Sequence, residues 1–297
     1  MSKRLLWGMI VILIITNIAS ILILSNKSVL RDAESGEKLP KEVAIVGDKS
    51  IKANQWIQSL QGEYGEEHLK KLINQEVVFQ LAEQNDLSMD DKFLQRELAV
   101  IQSAAGLLSE EELEQKREQW ETTIRYQAYL RDLLTQNIGI DENELNEAYQ
   151  DKPDQYDFAK SYQLSQIMVE DSQTANQIVS ELENGASFAN LAREYSIDLH
   201  TKNKGGYLGY FPEDNTYLPD IYFNTAENME TNTYSQPFEI SDGTVILYLH
   251  QELPSIDLEY EDVKNELRRE IAMDKIGHEV SAEQLWGEVG VKWIYGD

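Results

Sequence analysis

The chain has 297 residues, with 26 Lys plus Arg against 53 Asp plus Glu, four His and no Cys. A formal net charge of −27 argues against a nucleic-acid binder, which needs clustered Lys and Arg. Zero Cys excludes disulfides, thiolate metal sites, iron–sulfur clusters and cysteine nucleophiles. The length allows roughly two domains of about 150 residues, and 41% apolar with 9% aromatic residues is ordinary for a packed core.

After Lys3 and Arg4, residues 5–24 (LLWGMIVILIITNIASILIL) carry no charge. Such a run spans about 30 Å of hydrocarbon at 1.5 Å per residue. A cleaved signal peptide has an apolar region of about 7 to 15 residues, so the length favours an uncleaved anchor. Lys27 and Arg31 match Lys3 and Arg4 across the span, so positive charge alone does not orient it. A short N-terminus before a single span is the usual outward-facing arrangement. The body is therefore expected on the extracytoplasmic side.

Residues 25–41 are polar, with Gly36 and Pro40, and read as a tether. Residues 43–46 (VAIV) before Gly47 and Asp48 predict a short strand and turn. From Glu66 the period becomes helical, with Leu69, Leu72, Ile73, Val77 and Leu81 on one face. Residues 95–134 read as a further helical stretch without Pro, and Asp141 opens another helix that ends near Pro153.

From Ser161 the pattern alternates, predicting a strand buried on at least one face. Ala175, Ile178, Val179 and Leu182 then mark a helix stopped at Asn184 and Gly185, and Ser187 is placed to cap a second one carrying Phe188, Leu191, Ala192 and Tyr195. A Gly-rich loop at 205–209 leads to Tyr210, Phe211 and Pro212, and residues 245–249 (VILYL) form a returning strand. After Pro254, Val263, Leu267 and Ile271 are spaced by four along an acidic helix. Trp286, Trp293, Ile294 and Tyr295 make an apolar tail expected to dock on the earlier helices.

The stretch from Tyr162 to His250 resembles a parvulin-type peptidyl-prolyl isomerase domain. The resemblance is carried by residues 187–196 (SFANLAREYS), Asp198, residues 205–211 (GGYLGYF) and residues 234–238 (YSQPF). The whole-chain order resembles the PrsA/SurA foldases, with weaker support from residues 43–47 and 72–75. This resemblance implies an α+β protein with an N-terminal transmembrane helix and a mostly helical chaperone lobe. A small FKBP-like antiparallel sheet domain with helices follows, then a C-terminal helix docking on the lobe. The implied segments are 1–32 (stub and anchor), 33–153 (helical lobe), 154–252 (parvulin-like domain) and 253–297 (C-terminal helix).

The implied partners are unfolded or newly exported polypeptides and, through residues 5–24, the lipid bilayer; a homodimer through the helical lobe stays open. No cofactor is implied. Rotation about an X–Pro bond breaks no covalent bond, so a site needs apolar walls and a few oriented polar groups. By the resemblance, Asp198 takes the acidic-or-cysteine position, and Leu208 and Phe211 belong to the loop that lines the site. Tyr217 falls where a Met commonly lines the proline pocket, and Ile221 where a Phe does. Gln166 and Val245 stand where the family has its two histidines, and His250 lies five residues beyond Val245. The implied function is a membrane-anchored foldase with a degraded isomerase site. Two alternatives remain: a working isomerase in which Asp198 and Tyr217 compensate, and a non-catalytic scaffold.

Simpler roles compete at these positions. Asp198 suits a turn cap, and Gly205, Gly206 and Gly209 suit backbone conformation more than ligand contact. His68, His200, His250 and His278 lack metal-ligand spacing, so no metal is assigned. No phosphate-binding Gly-Lys-Ser/Thr and no GxSxG elbow occurs.

Overall fold

The structure is a computed structural model and describes residues 39–277 and 281–296. The expected membrane segment, residues 5–24, lies outside the described residues, as does His278. Among the described residues no helix is long and apolar enough to cross a membrane. The described residues divide into two compact units, one of residues 39–73 with 292–296, the other of residues 74–277 with 281–291.

In the first unit, β1 (Glu42–Val46) and β2 (Lys49–Lys52) pair antiparallel around a turn at Gly47, whose φ of +60° suits a residue without Cβ. Helix α1 (Ala53–Gln84) follows directly, with the Ala53 N–H donating to Lys41 O at 3.1 Å. It begins well before Glu66. Its first turns carry Trp56, Ile57, Leu60 and Tyr64 at helical spacing, all exposed. The tail returns here, where a Cβ on Gly65 would lie 2.8 Å from the Tyr295 hydroxyl.

The second unit opens with the buried end of α1, where Val77, Val78, Leu81 and Ala82 face inward. The helical stretch expected over 95–134 consists of two helices, α2 (Asp91–Ala104) and α3 (Glu110–Thr135). Gly106 turns the chain at φ +78°, and Ser109 restarts it with a capping box to Glu112. Helical propensity runs through this stretch, but the left-handed glycine and the new cap override it. Helix α4 (Glu142–Asp151) starts at Asp141, whose carboxylate accepts from the Asn143 N–H at 2.8 Å.

The sheet follows. Its strands are β3 (Ser161–Val169), β4 (Tyr207–Pro212), β5 (Thr233–Tyr234), β6 (Phe238–Ile240) and β7 (Gly243–Leu253). The order is β4-β3-β7-β5, with β6 also on β7, and every pairing is antiparallel. Strand β3 is buried on both faces. One face, with Tyr162, Leu164, Val245, Leu247 and Leu249, packs on Leu218 and on Tyr222, Phe223 and Ala226 of α7 (Asp220–Ala226). The other, with Ile167, Val169 and Ile246, packs on α5 (Ser172–Glu183) and α6 (Phe188–Tyr195). Ser187 sits at the start of α6, but its hydroxyl makes no capping bond.

Helix α8 (Tyr260–Ile276) packs on α2, α3 and α4. It brings Arg269, 2% exposed, between Asp132 at 3.0 Å and Glu266 at 3.0 Å, while Arg131 reaches Glu266 at 2.6 Å. The short helix α9 (Trp286–Val289) is tied to α1 by the Trp286 indole, which donates to Asn74 at 2.7 Å. A buried ion group gains little net energy while paired, but removing one partner strands the others without water. Arg269→Ala is expected to cost about 3 to 5 kcal/mol, read as a lower denaturation midpoint in urea.

Candidate functional site

Gln166 is a polar side chain on the apolar α7 face of β3, 5% exposed. Burying an amide there costs free energy unless both its ends are bonded. Both are. The Tyr222 hydroxyl donates to Gln166 Oε1 at 2.5 Å, and Gln166 Nε2 donates to Asp198 Oδ2 at 2.9 Å. An ionised carboxylate only accepts, so the amide orientation follows from its neighbours.

Asp198 lies in the loop after α6. Its Oδ2 also accepts from the Thr201 hydroxyl, and its Oδ1 from the His200 N–H at 3.0 Å. It therefore closes a turn and faces Gln166 at once. Partial burial works to raise its pKa, but the donors Thr201, Gln166 and His200 N–H outweigh this and hold the carboxyl below the usual Asp value. Burial, then the Asp198 charge, pushes the Tyr222 phenol well above its ordinary value, so it stays a donor.

The Gly loop is shaped by the same strand. Gln166 N–H donates to Gly206 O at 2.8 Å. A Cβ on Gly206, at φ +82°, would fall 2.2 Å from Gln166 O, so no other residue fits. Leu208 and Phe211 pack against the Tyr222 cluster. Tyr217 is 81% exposed and stacks on Phe211, with ring centroids 6.3 Å apart and planes 12° apart. Ile221 is 37% exposed on the outer side of α7.

The structure thus brings Gln166 and Asp198 together, places Leu208 and Phe211 on the adjoining cluster, and turns Tyr217 and Ile221 outward. The positions that face the sheet are one residue on, Leu218 at 8% and Tyr222 at 2% exposure. Tyr222 was not singled out in the sequence. Its signal was the spacing by four of Leu218, Tyr222 and Ala226, which marks the inward stripe better than Tyr217, Ile221 and Thr225. Val245 is fully buried in the same cluster, opposite Met168. His250 lies on the other face of the sheet, hydrogen-bonded with Ser165. Among the described residues no cluster of three or more His, Asp or Glu could hold a metal ion.

A sequence profile for the PPIC-type PPIase domain matches residues 140–265. YacD, a candidate peptidyl-prolyl cis-trans isomerase of Bacillus subtilis (strain 168), is 32% identical over 298 residues, covering all of this chain and 99% of YacD. The chain belongs to the PPIC-type peptidyl-prolyl isomerase family. The foldase PrsA of Oceanobacillus iheyensis is 26% identical over 245 residues, covering 80% of this chain and 77% of that protein. A crystal structure of PrsA from Bacillus cereus matches 85% of this chain and 93% of its own, at 22% identity and a TM-score of 0.32. Within this PPIC-type domain, Gln166, Asp198 and Tyr222 form one hydrogen-bonded line across the α7 face of the sheet.

Because the Asp198 pKa is lowered by folding, its bonds stabilise the protein above the unfolded Asp pKa of about 3.9 and fade as pH falls through the folded value. Thr201→Val removes one donor. The Asp198 carboxyl should then titrate at higher pH in carbon-detected NMR. The variant should be less stable than wild type at neutral pH, with the gap closing in acid.

Proposed function

We propose that the chain is a membrane-anchored foldase that holds non-native exported polypeptides, with a PPIC-type domain whose proline site is degraded. The observation that carries this reading is the exposed apolar row Trp56, Ile57, Leu60 and Tyr64 on α1. Unfolded chains expose apolar segments, and a contiguous apolar surface rimmed by acidic groups binds them weakly and releases them. The net charge of −27 keeps such a surface from self-association. Residues 5–24 would hold the body at the membrane on its extracytoplasmic side, supported by twenty residues without a charge.

In the proline site, an X–Pro segment would rest on Leu208 and Phe211, with Tyr217 as an outer wall and Ile221 at the edge. Rotation faces a barrier of about 20 kcal/mol, lowered by desolvating the amide and by groups complementary to its twisted form. Where the family resemblance implies two histidines, this chain offers the Gln166 amide and the apolar Val245. Asp198 is the ionised group left beside the apolar surface, which favours slow turnover.

The full-length chain in excess over a denatured client is expected to suppress its aggregation, measured by light scattering. Trp56→Glu with Leu60→Glu should weaken that effect; no suppression by wild type would sink the reading. In a proline-peptide assay, a rate near the uncatalysed one, insensitive to Asp198→Ala, is expected. The unbroken Tyr222–Gln166–Asp198 line favours a second reading, a working isomerase. A rate well above background that Asp198→Ala abolishes would establish that reading instead. External protease on intact cells should digest the body, and protection of it would reverse the proposed side.

A further inference from the structure

The sheet face opposite Tyr222 carries a cavity of about 460 Å³. Its floor is the Ser165–His250 pair, Oγ to Nε2 2.7 Å. Burial lowers the His250 pKa to about 4, so this floor is polar but uncharged at neutral pH. The walls include Phe188, Tyr207 and Tyr248. The Tyr248 ring lies 4.7 Å from the His250 ring and 5.2 Å from that of Phe188.

Arg193 and Lys204 also line this cavity. A Cβ on Gly205 would come within 3.4 Å of Arg193 Nη2, so the guanidinium lies beside Gly205, the chain neighbour of Lys204. Arg193 Nη1 donates to Ala189 O and Asn190 Oδ1, which leaves Nη2 able to donate elsewhere. Among the described residues neither cation forms an ion pair with a carboxylate. Among the described residues no Asp or Glu lines the cavity, although the chain has 53 acidic residues against 26 basic ones. Two cations and no acid around an aromatic hollow form a local inversion of the protein's charge.

We propose that this cavity binds a polypeptide segment in which an aromatic side chain stands next to Asp or Glu. The ring would rest against Phe188, Tyr207 and Tyr248, where offset and edge contacts add to its burial. The carboxylate would meet Arg193 and Lys204 as charge-assisted hydrogen bonds. The hollow is concave and sized for a side chain with its backbone, which suits a peptide rather than a bilayer surface. A polyanion would be repelled by the acidic exterior, whereas one carboxylate need only reach the local cationic edge. The proposal rests on the reading that the chain handles polypeptides. It adds a second grip, separated from the proline face by the sheet itself, since Ser165 and Gln166 are adjacent and point to opposite sides. One client held at both faces would gain from effective concentration.

The test is fluorescence anisotropy of a labelled, end-blocked Gly-Ser-Asp-Phe-Asp-Ser-Gly peptide with the full-length chain. Arg193→Gln with Lys204→Gln, both exposed in the fold, should weaken binding about five- to tenfold. Replacing both Asp of the peptide by Asn should weaken binding to wild type by a similar factor, and that peptide should no longer distinguish wild type from the variant. Replacing its Phe by Ala should remove binding. Equal binding of the Asp and Asn peptides by wild type overturns the proposal without any mutation. Unchanged affinity in the double variant does so too. The aggregation assay reads the foldase proposal separately, so a chain that suppresses aggregation but ignores the peptide's carboxylates retains that role and loses only this cavity.

Discussion

Strands β3 and β7 pair from Ser161 opposite Leu253 to Val169 opposite Thr244, and both faces of the pair are covered. Side chains alternate across a strand, so this register decides which face each residue serves. Gln166 falls on the α7 face with Tyr222, and Ser165 on the opposite face with His250. A slip of one residue would exchange them, burying the Gln166 amide among Ile178 and Leu191 without a partner. The bulge between Gln163 and Leu164 adjusts the pairing where β3 leaves the helical segments.

Polar groups inside this sheet are kept because each is answered. The Gln166 amide is bonded at both ends, and Ser165 is bonded to His250. Gln163 donates to Tyr207 and to Gly106 O, joining the sheet to the turn between α2 and α3. Gln102 reaches Gln251 and Tyr210 from α2. Each bond contributes only about 1 kcal/mol net, but leaving its buried partner unmet costs more. The network therefore fixes geometry more than it adds stability, which is what an oriented site requires.

Charge is handled in two ways. Many acids sit on helix surfaces, among them Glu110, Glu111, Glu114 and Glu118 of α3, and the net charge of −27 repels other copies. Inside the helical part, Arg131, Asp132, Glu266 and Arg269 neutralise one another between α3 and α8. The edge formed by Arg193 and Lys204 follows neither pattern.

The sequence by itself determined much of the element order. The β1 turn, the Asp141 cap, the alternation of β3, the stripes of α5 and α6 and the Gly loop could all be read from local periodicity and turn chemistry. These are properties of neighbouring residues, so they need no knowledge of the rest of the chain. Asp198 and Gln166 could be named through the family resemblance, but not their hydrogen bond, because thirty-two positions separate them. The break at Gly106 was hidden by helix-forming neighbours, and the early start of α1 by an apolar row that stays exposed. Tertiary structure alone decided the phase of α7, since a helix of seven residues shows two plausible stripes and only packing on Leu247 and Val245 selects Tyr222 over Ile221. It also decided that Ser165, His250, Arg193 and Lys204 meet, because side chains far apart in sequence become neighbours only when the strands are in register.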